Sequence, residues 1–179
     1  MFISLLGQIS CAETNYYKIY EDMQPADFSY QHGVDPEQYY DMEHTTWSPY
    51  PLFRLNSALI FKNITIEPGY YLLTPRKHKD SWYMLFKDNG KVRYIIPIYE
   101  RDYVPEMFYE NNLPKEKLTF SQKAHINLLN FVGKIAPSSK RKEAPKTYLE
   151  INDIDKNFVQ IVVYWGDFRY YTLFKTSGF

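Results

Sequence analysis

The run from Trp82 to Ile96 restricts the fold of this chain more than any other stretch. Trp82-Tyr83-Met84-Leu85-Phe86-Lys87 and Lys91-Val92-Arg93-Tyr94-Ile95-Ile96 are rich in aromatic and β-branched residues, with Asp88-Asn89-Gly90 between them. Asn-Gly supplies the positive φ angles that a tight primed turn demands, so the two runs form an antiparallel hairpin. Pro97 cannot donate to a ladder, so the second strand ends there or lies at an edge. Upstream, Pro68-Gly69 is a turn that leads into a further strand, Tyr70-Tyr71-Leu72-Leu73-Thr74-Pro75. The C-terminal part repeats the plan with Thr147-Tyr148-Leu149-Glu150-Ile151, then Phe158 to Tyr164, then a turn at Trp165-Gly166-Asp167 and a last strand from Phe168 to Phe174. Two three-stranded meanders, each with one apolar face, bury those faces most simply against each other. The expectation is an all-β, mainly antiparallel β-sandwich.

Short strands are also expected at Leu52-Phe53-Arg54-Leu55, Ala58-Leu59-Ile60-Phe61 and Ile64-Thr65-Ile66. One short helix is expected near residues 120–132. Thr119 and Gln122 make a capping box, and Ala124, Leu128, Phe131, Val132 and Ile135 recur at helical spacing before Gly133. Arg76-Lys77-His78-Lys79 reads as a basic turn, and residues 137–146 as a basic loop bounded by prolines. A length of 179 residues suits one domain, placed here at 51–179.

Residues 13–50 are different. They show no sustained period of strand or helix and are punctuated by Pro25, Gly33, Pro36 and Pro49, so they read as an irregular arm rich in Tyr and Pro. The arm carries eight acids against Lys18, a net −7, and residues 51–179 carry the balancing +7 of a chain whose formal charge is zero. Such segregation suggests that the arm lies on the basic body; the alternative is a solvated leader. Docking predicts that Tyr16, Tyr17, Tyr39 and Tyr40 pack on the body, with aromatic burial holding the contact and charge choosing the face.

Residues 1–12 read as the back half of a secretory signal. Phe2-Ile3-Ser4-Leu5-Leu6-Gly7-Gln8-Ile9 is apolar and uncharged, and Ser10 and Ala12 stand where a signal peptidase accepts small residues before Glu13. No Lys or Arg precedes the run, so either the true start lies upstream or this is an ordinary N-terminal strand. Cys11 is the only cysteine, which precludes an internal disulfide and leaves acylation at Cys11 as a further alternative. Gly69-x-Tyr71-x-Leu73-x-Pro75, with Trp82 and the strand ending at Lys87, resembles a family of secreted bacterial β-sandwich proteins of unknown function. Asn157 with Ile161-x-Val163-x-Trp165 resembles that family's last hairpin. The resemblance implies an exported sandwich in the periplasm or outside the cell, and nothing about chemistry.

No nucleophile elbow and no metal-ligand spacing among His32, His44, His78 and His125 is present. Asp153-Ile154-Asp155-Lys156-Asn157 has the alternation of a calcium loop, but Phe158 replaces the expected glycine and Lys156 adds a repelling charge, so a polar hairpin turn is the better reading. No catalytic residue and no cofactor is expected. Zero net charge argues against nucleic acid as partner, and no later apolar run approaches the ~18 residues of a membrane span. The expected function is an exported, non-catalytic binding or scaffolding protein of the bacterial cell envelope, its partner a glycan or a protein. Trp47, Tyr50, Trp82 and Trp165 are the candidate contact residues, since exposed rings offer flat surfaces to sugars or strands. The alternative is a periplasmic hydrolase whose carboxylate pair is not adjacent in sequence.

Overall fold

A computed structural model describes residues 14–44, 50–114, 144–155 and 157–176. The expected helix near 120–132, Trp47 and most of the basic loop lie outside the described residues. Ten described strands pair antiparallel throughout: β1 (Leu52–Leu55), β2 (Leu59–Phe61), β3 (Ile64–Ile66), β4 (Gly69–His78), β5 (Ser81–Asp88), β6 (Lys91–Pro97), β7 (Glu100–Tyr103), β8 (Thr147–Asp153), β9 (Phe158–Trp165) and β10 (Phe168–Thr176). They form a four-stranded sheet in the order β1-β4-β5-β6 and a second sheet in the order β3-β2-β10-β9-β8, with β7 also on β10. The two expected meanders, β4-β5-β6 and β8-β9-β10, are thus the body of one sheet each. Asn89 and Gly90 turn the β5–β6 hairpin with φ of 48° and 74°, the positive values this turn requires.

The inner faces meet in one filled core. Leu73, Met84, Phe86 and Ile96 from the first sheet and Ile161, Val163 and Phe174 from the second are fully buried. Phe86 meets Phe174 edge-on at 5.9 Å, and Trp82 meets Tyr170 at 5.2 Å across the sandwich.

Three elements depart from the sequence reading. β4 does not stop at Pro75 but continues to His78, so Arg76 is a strand residue and not part of a basic turn. The amide of Leu73 donates to Pro51 O, so position 75, two residues on, faces the same side of β4. There β1 has already run out, and the missing N–H of Pro75 costs no ladder bond. β7 was not expected because Glu-Arg-Asp-Tyr has little intrinsic strand preference; β10 supplies the template. The arm is not irregular throughout: it contains α1 (Tyr16–Asp22), a 3-10 turn (Gln31–Gly33) and α2 (Glu37–His44). Helices of two turns are too short to show a period. α1 starts at Asn15, whose side chain accepts the Lys18 amide at 2.9 Å.

Both sheets are also covered on their outer faces. Phe158 to Tyr164 of β9 are all buried, as a strand packed on two sides must be. On its outer side Tyr20 of α1 meets Phe158 at 5.4 Å, and Gln160 Nε2 donates to Tyr99 Oη at 2.6 Å. Phe108, in the one-turn helix α3 (Phe108–Asn112), stacks flat on Tyr164 at 4.2 Å. On the other sheet, residues 28–41 lie across the outer face of β4, β5 and β6, and are called the strap below. Phe28 stacks on His78 of β4 at 3.8 Å and meets Tyr83 of β5 edge-on, while Gly33 approaches the Val92 carbonyl of β6.

Candidate functional site: a buried ion cluster beneath the strap

Strand alternation puts Leu72, Thr74 and Arg76 of β4 on the outer face of the four-stranded sheet, with Leu85 and Lys87 of β5 beside them. A sandwich with a bare outer face would leave those cations in water. Here the strap covers them, and Arg76 and Lys87 expose only 4% and 3% of their surface. Asp35 of the strap, 1% exposed, meets both. Its Oδ2 accepts from Arg76 Nε at 2.9 Å and from Lys87 Nζ at 2.5 Å, and its Oδ1 accepts the Glu37 amide at 3.1 Å. The other guanidinium nitrogens of Arg76 reach Asp41 and the Tyr50 hydroxyl, the latter at 2.6 Å, and Tyr50 donates in turn to Asp41 at 2.7 Å. Glu37, largely in solvent, adds a longer contact to Arg76 at 3.4 Å.

A bulge between β5 and β6 completes the cluster. Phe86 pairs with Tyr94, so an unbroken ladder would set Arg93 opposite Lys87. Like charges directly opposite destabilise a strand pair. The register shift puts Val92 there instead, and Arg93 turns outward to Asp88 at 3.4 Å.

Two cations share one buried carboxylate, and each group responds. Burial pushes the Asp35 carboxyl up, but the Lys87 hydrogen bond and the charges of Arg76 and Lys87 outweigh it, leaving the group below its ordinary range. Burial lowers the Lys87 ammonium; the shared Asp35 restores only part, and neighbouring Arg76 works against it. Burial likewise raises the Tyr50 phenol, so it stays a neutral donor. The cluster binds charge, with its buried carboxyl, Asp35, held as the anion. Glu21, hydrogen-bonded to Lys62, and Asp102, hydrogen-bonded to Arg169, are also lowered, the direction opposite to a general acid for glycoside hydrolysis.

Of the residues expected to make contacts, Tyr50 belongs to this cluster and is buried, its ring stacked on Trp165 at 5.6 Å. Trp165 and Trp82 are half-buried against the core, and Arg101 lies over the Trp82 ring at 4.8 Å. The three do not form one exposed surface: Tyr50 is buried beneath the strap, and Trp82 and Trp165 share the inner-face parity of Met84 and Phe86 and of Ile161 and Val163. Asp155 Oδ1 accepts the amides of Asn157 and Phe158, closing the β8–β9 hairpin, and Asp153 pairs with Val159 in the ladder. Among the described residues no three His, Cys, Asp or Glu side chains are grouped to hold a metal ion, and no helix is long and apolar enough to cross a membrane. Arg76, Lys87 and Asp35 were missed as site residues. The usable signal was parity: Arg76 follows Leu72 and Thr74, and Lys87 follows Leu85, each two apart on one face of a strand.

No known protein family, curated protein or solved structure matches this chain. Its function therefore has to be read from its own residues. What the arrangement offers chemically is a convergent pair of buried cations on a rigid sheet, a phenol beside them, and a polypeptide carboxylate seated between.

Proposed function

We propose that this is an exported, non-catalytic binding or scaffolding protein of the bacterial cell envelope. The observation that carries the non-catalytic part is the packing: side chains fill the space between the sheets, and among the described residues the carboxyls with displaced pKa values, Glu21, Asp35 and Asp102, are all shifted toward the anion. A hydrolase needs an open site with one carboxyl kept protonated. For contact with a partner, the best-placed surface is the end of the four-stranded sheet that strap residues do not reach. There Leu52 and Tyr70 are exposed on neighbouring strands, and Arg54 lies over the Tyr70 ring at 5.8 Å. An aromatic ring with a cation beside it suits a sugar face or a partner strand laid along β1. The apolar run of residues 1–12, ending in small residues before Glu13, supports export.

Fractionation of the source cells with intact-mass measurement tests the reading. The expected result is a chain in the envelope fraction that has lost Met1 to Ala12; a chain found in the cytosol with Met1 retained would overturn it. Tyr70→Ala should then reduce retention by isolated envelope material without changing the unfolding midpoint.

A further inference from the structure

We propose that Arg76, Lys87 and Thr74 form a carboxylate-binding site, that Asp35 fills it from within the same chain, and that an acidic peptide segment takes its place when the strap lifts. The inference is independent of the exposed Leu52–Tyr70 surface and goes beyond it.

Three observations carry it. Both cations converge on a single carboxylate oxygen, Asp35 Oδ2, from adjacent strands held at fixed spacing by the ladder. That is receptor geometry, since neither strand has to move to accept an anion. The receptor is also incompletely used. Thr74 lies two residues before Arg76 on the same face and is fully buried, yet its hydroxyl has no hydrogen-bond partner among the described residues. A buried hydroxyl left unpaired is a cost that a larger anion, reaching past the position of Asp35, would remove.

The occupant, meanwhile, has little apolar burial to hold it. Across residues 24–41, Asp35 is the only buried residue. Val34 and Tyr39 are exposed, and His32 takes a left-handed φ of 55° next to Gly33 at 70°, a conformation uncommon outside glycine. Phe28 gives the strap an aromatic foothold on His78 and Tyr83. A segment with so little apolar burial belongs to the part of a fold that opens locally before the rest. Buried ion clusters do not maximise stability, because packed apolar residues of the same volume do as well or better. The cis occupant displays the chemistry that fits: a short acidic peptide, Val34-Asp35-Pro36-Glu37, whose carboxylate enters between two strands.

The test uses the full-length chain, isotope-labelled for NMR, titrated with an unlabelled synthetic peptide of residues 28–41. Saturable binding is expected, with strap amides moving toward random-coil positions while those of β4 and β5 shift but stay ordered. The same peptide with Asn in place of Asp35 should bind at least about tenfold more weakly, the loss of a charge-assisted contact to two cations. In the folded Asp35→Asn chain, the wild-type peptide should bind about tenfold more tightly, since its internal competitor has lost its charge. The wild-type titration decides the matter even where that variant does not fold. Equal binding of the two peptides, or none to the wild-type chain, would overturn the proposal. Saturation by inorganic phosphate without any peptide binding would overturn the assignment of a peptide as the ligand.

Discussion

The two halves of the N-terminal arm are attached to the same sandwich by different physics. α1 is held by apolar burial. Tyr20 is 2% exposed between Phe61 and Phe158, Met23 is buried beside it, and the Lys62 amide donates to Tyr20 Oη at 2.7 Å. Charge is secondary there: Glu21 pairs with Lys62 at 3.1 Å at the surface, where an ion pair contributes only ~0–1 kcal/mol. The strap reverses the order. Its buried residue is an aspartate, and its tyrosines 39 and 40 are 66% and 61% exposed. Of the four tyrosines expected to anchor the arm by burial, Tyr17, Tyr39 and Tyr40 stay more than half exposed. Tyr16 is partly buried against the core cluster, and Tyr17, though exposed, meets Phe158 edge-on at 6.5 Å. Charge chooses the face for α1. For the strap, charge is the contact.

That difference can be broken by substitution. The largest effect is expected for Asp35→Asn, which keeps the shape but strands two buried cations. Urea unfolding should show a loss of about 3–5 kcal/mol, and the combined replacement of Asp35, Arg76 and Lys87 by Leu, Met and Met should recover most of it. Next is Tyr20→Ala, where lost aromatic volume should cost roughly 3 kcal/mol by the same measurement, with no dependence on salt. Tyr20→Phe should cost only about 1 kcal/mol, the loss of an acceptor for the Lys62 amide. An Asp35→Asn chain destabilised no more than Tyr20→Phe would erase the distinction between the two halves.

Acid sharpens it further. The folded Asp35 carboxyl lies below its ordinary range, so its stabilisation is fully present above the unfolded value of about 4 and is lost as pH falls through the lower folded value. Lys87 acts with the same sign in another window. Its folded value lies below the ordinary ~10.4, so the cost of burying the ammonium is relieved as pH rises through that interval. Melting temperature should fall more steeply below about pH 4 for the wild-type chain than for Asp35→Asn. Parallel curves would remove Asp35 from the account. The smallest effect is expected for Tyr39→Ser, within about 0.5 kcal/mol, because that ring is already in water.

Much of the sandwich was legible because strands and turns announce themselves locally. Asn89-Gly90 required its hairpin, Pro97 ended an edge strand, and each meander kept its apolar residues together. The site was not legible for a non-local reason. Asp35 and Lys87 are 52 residues apart, and no local pattern says that a lone aspartate before a proline will sit between two strands. Arg76 was masked by its neighbours: with Lys77, His78 and Lys79 behind it, it looked like a solvated turn, although its parity with Leu72 and Thr74 put it on a strand face.

By itself, then, the amino-acid order determined the antiparallel strands other than β7, the turns of the two meanders and the opposite charges of arm and body, since each depends on spacing over a few residues or on composition. Tertiary structure alone decided that the outer faces would be covered and which acid would meet which base. It also decided that Lys87 would face Val92 rather than Arg93. Burial is a property of what lies on the other side of a strand, and the desolvation that turns an ordinary ion pair into a buried cluster exists only once the strap is in place.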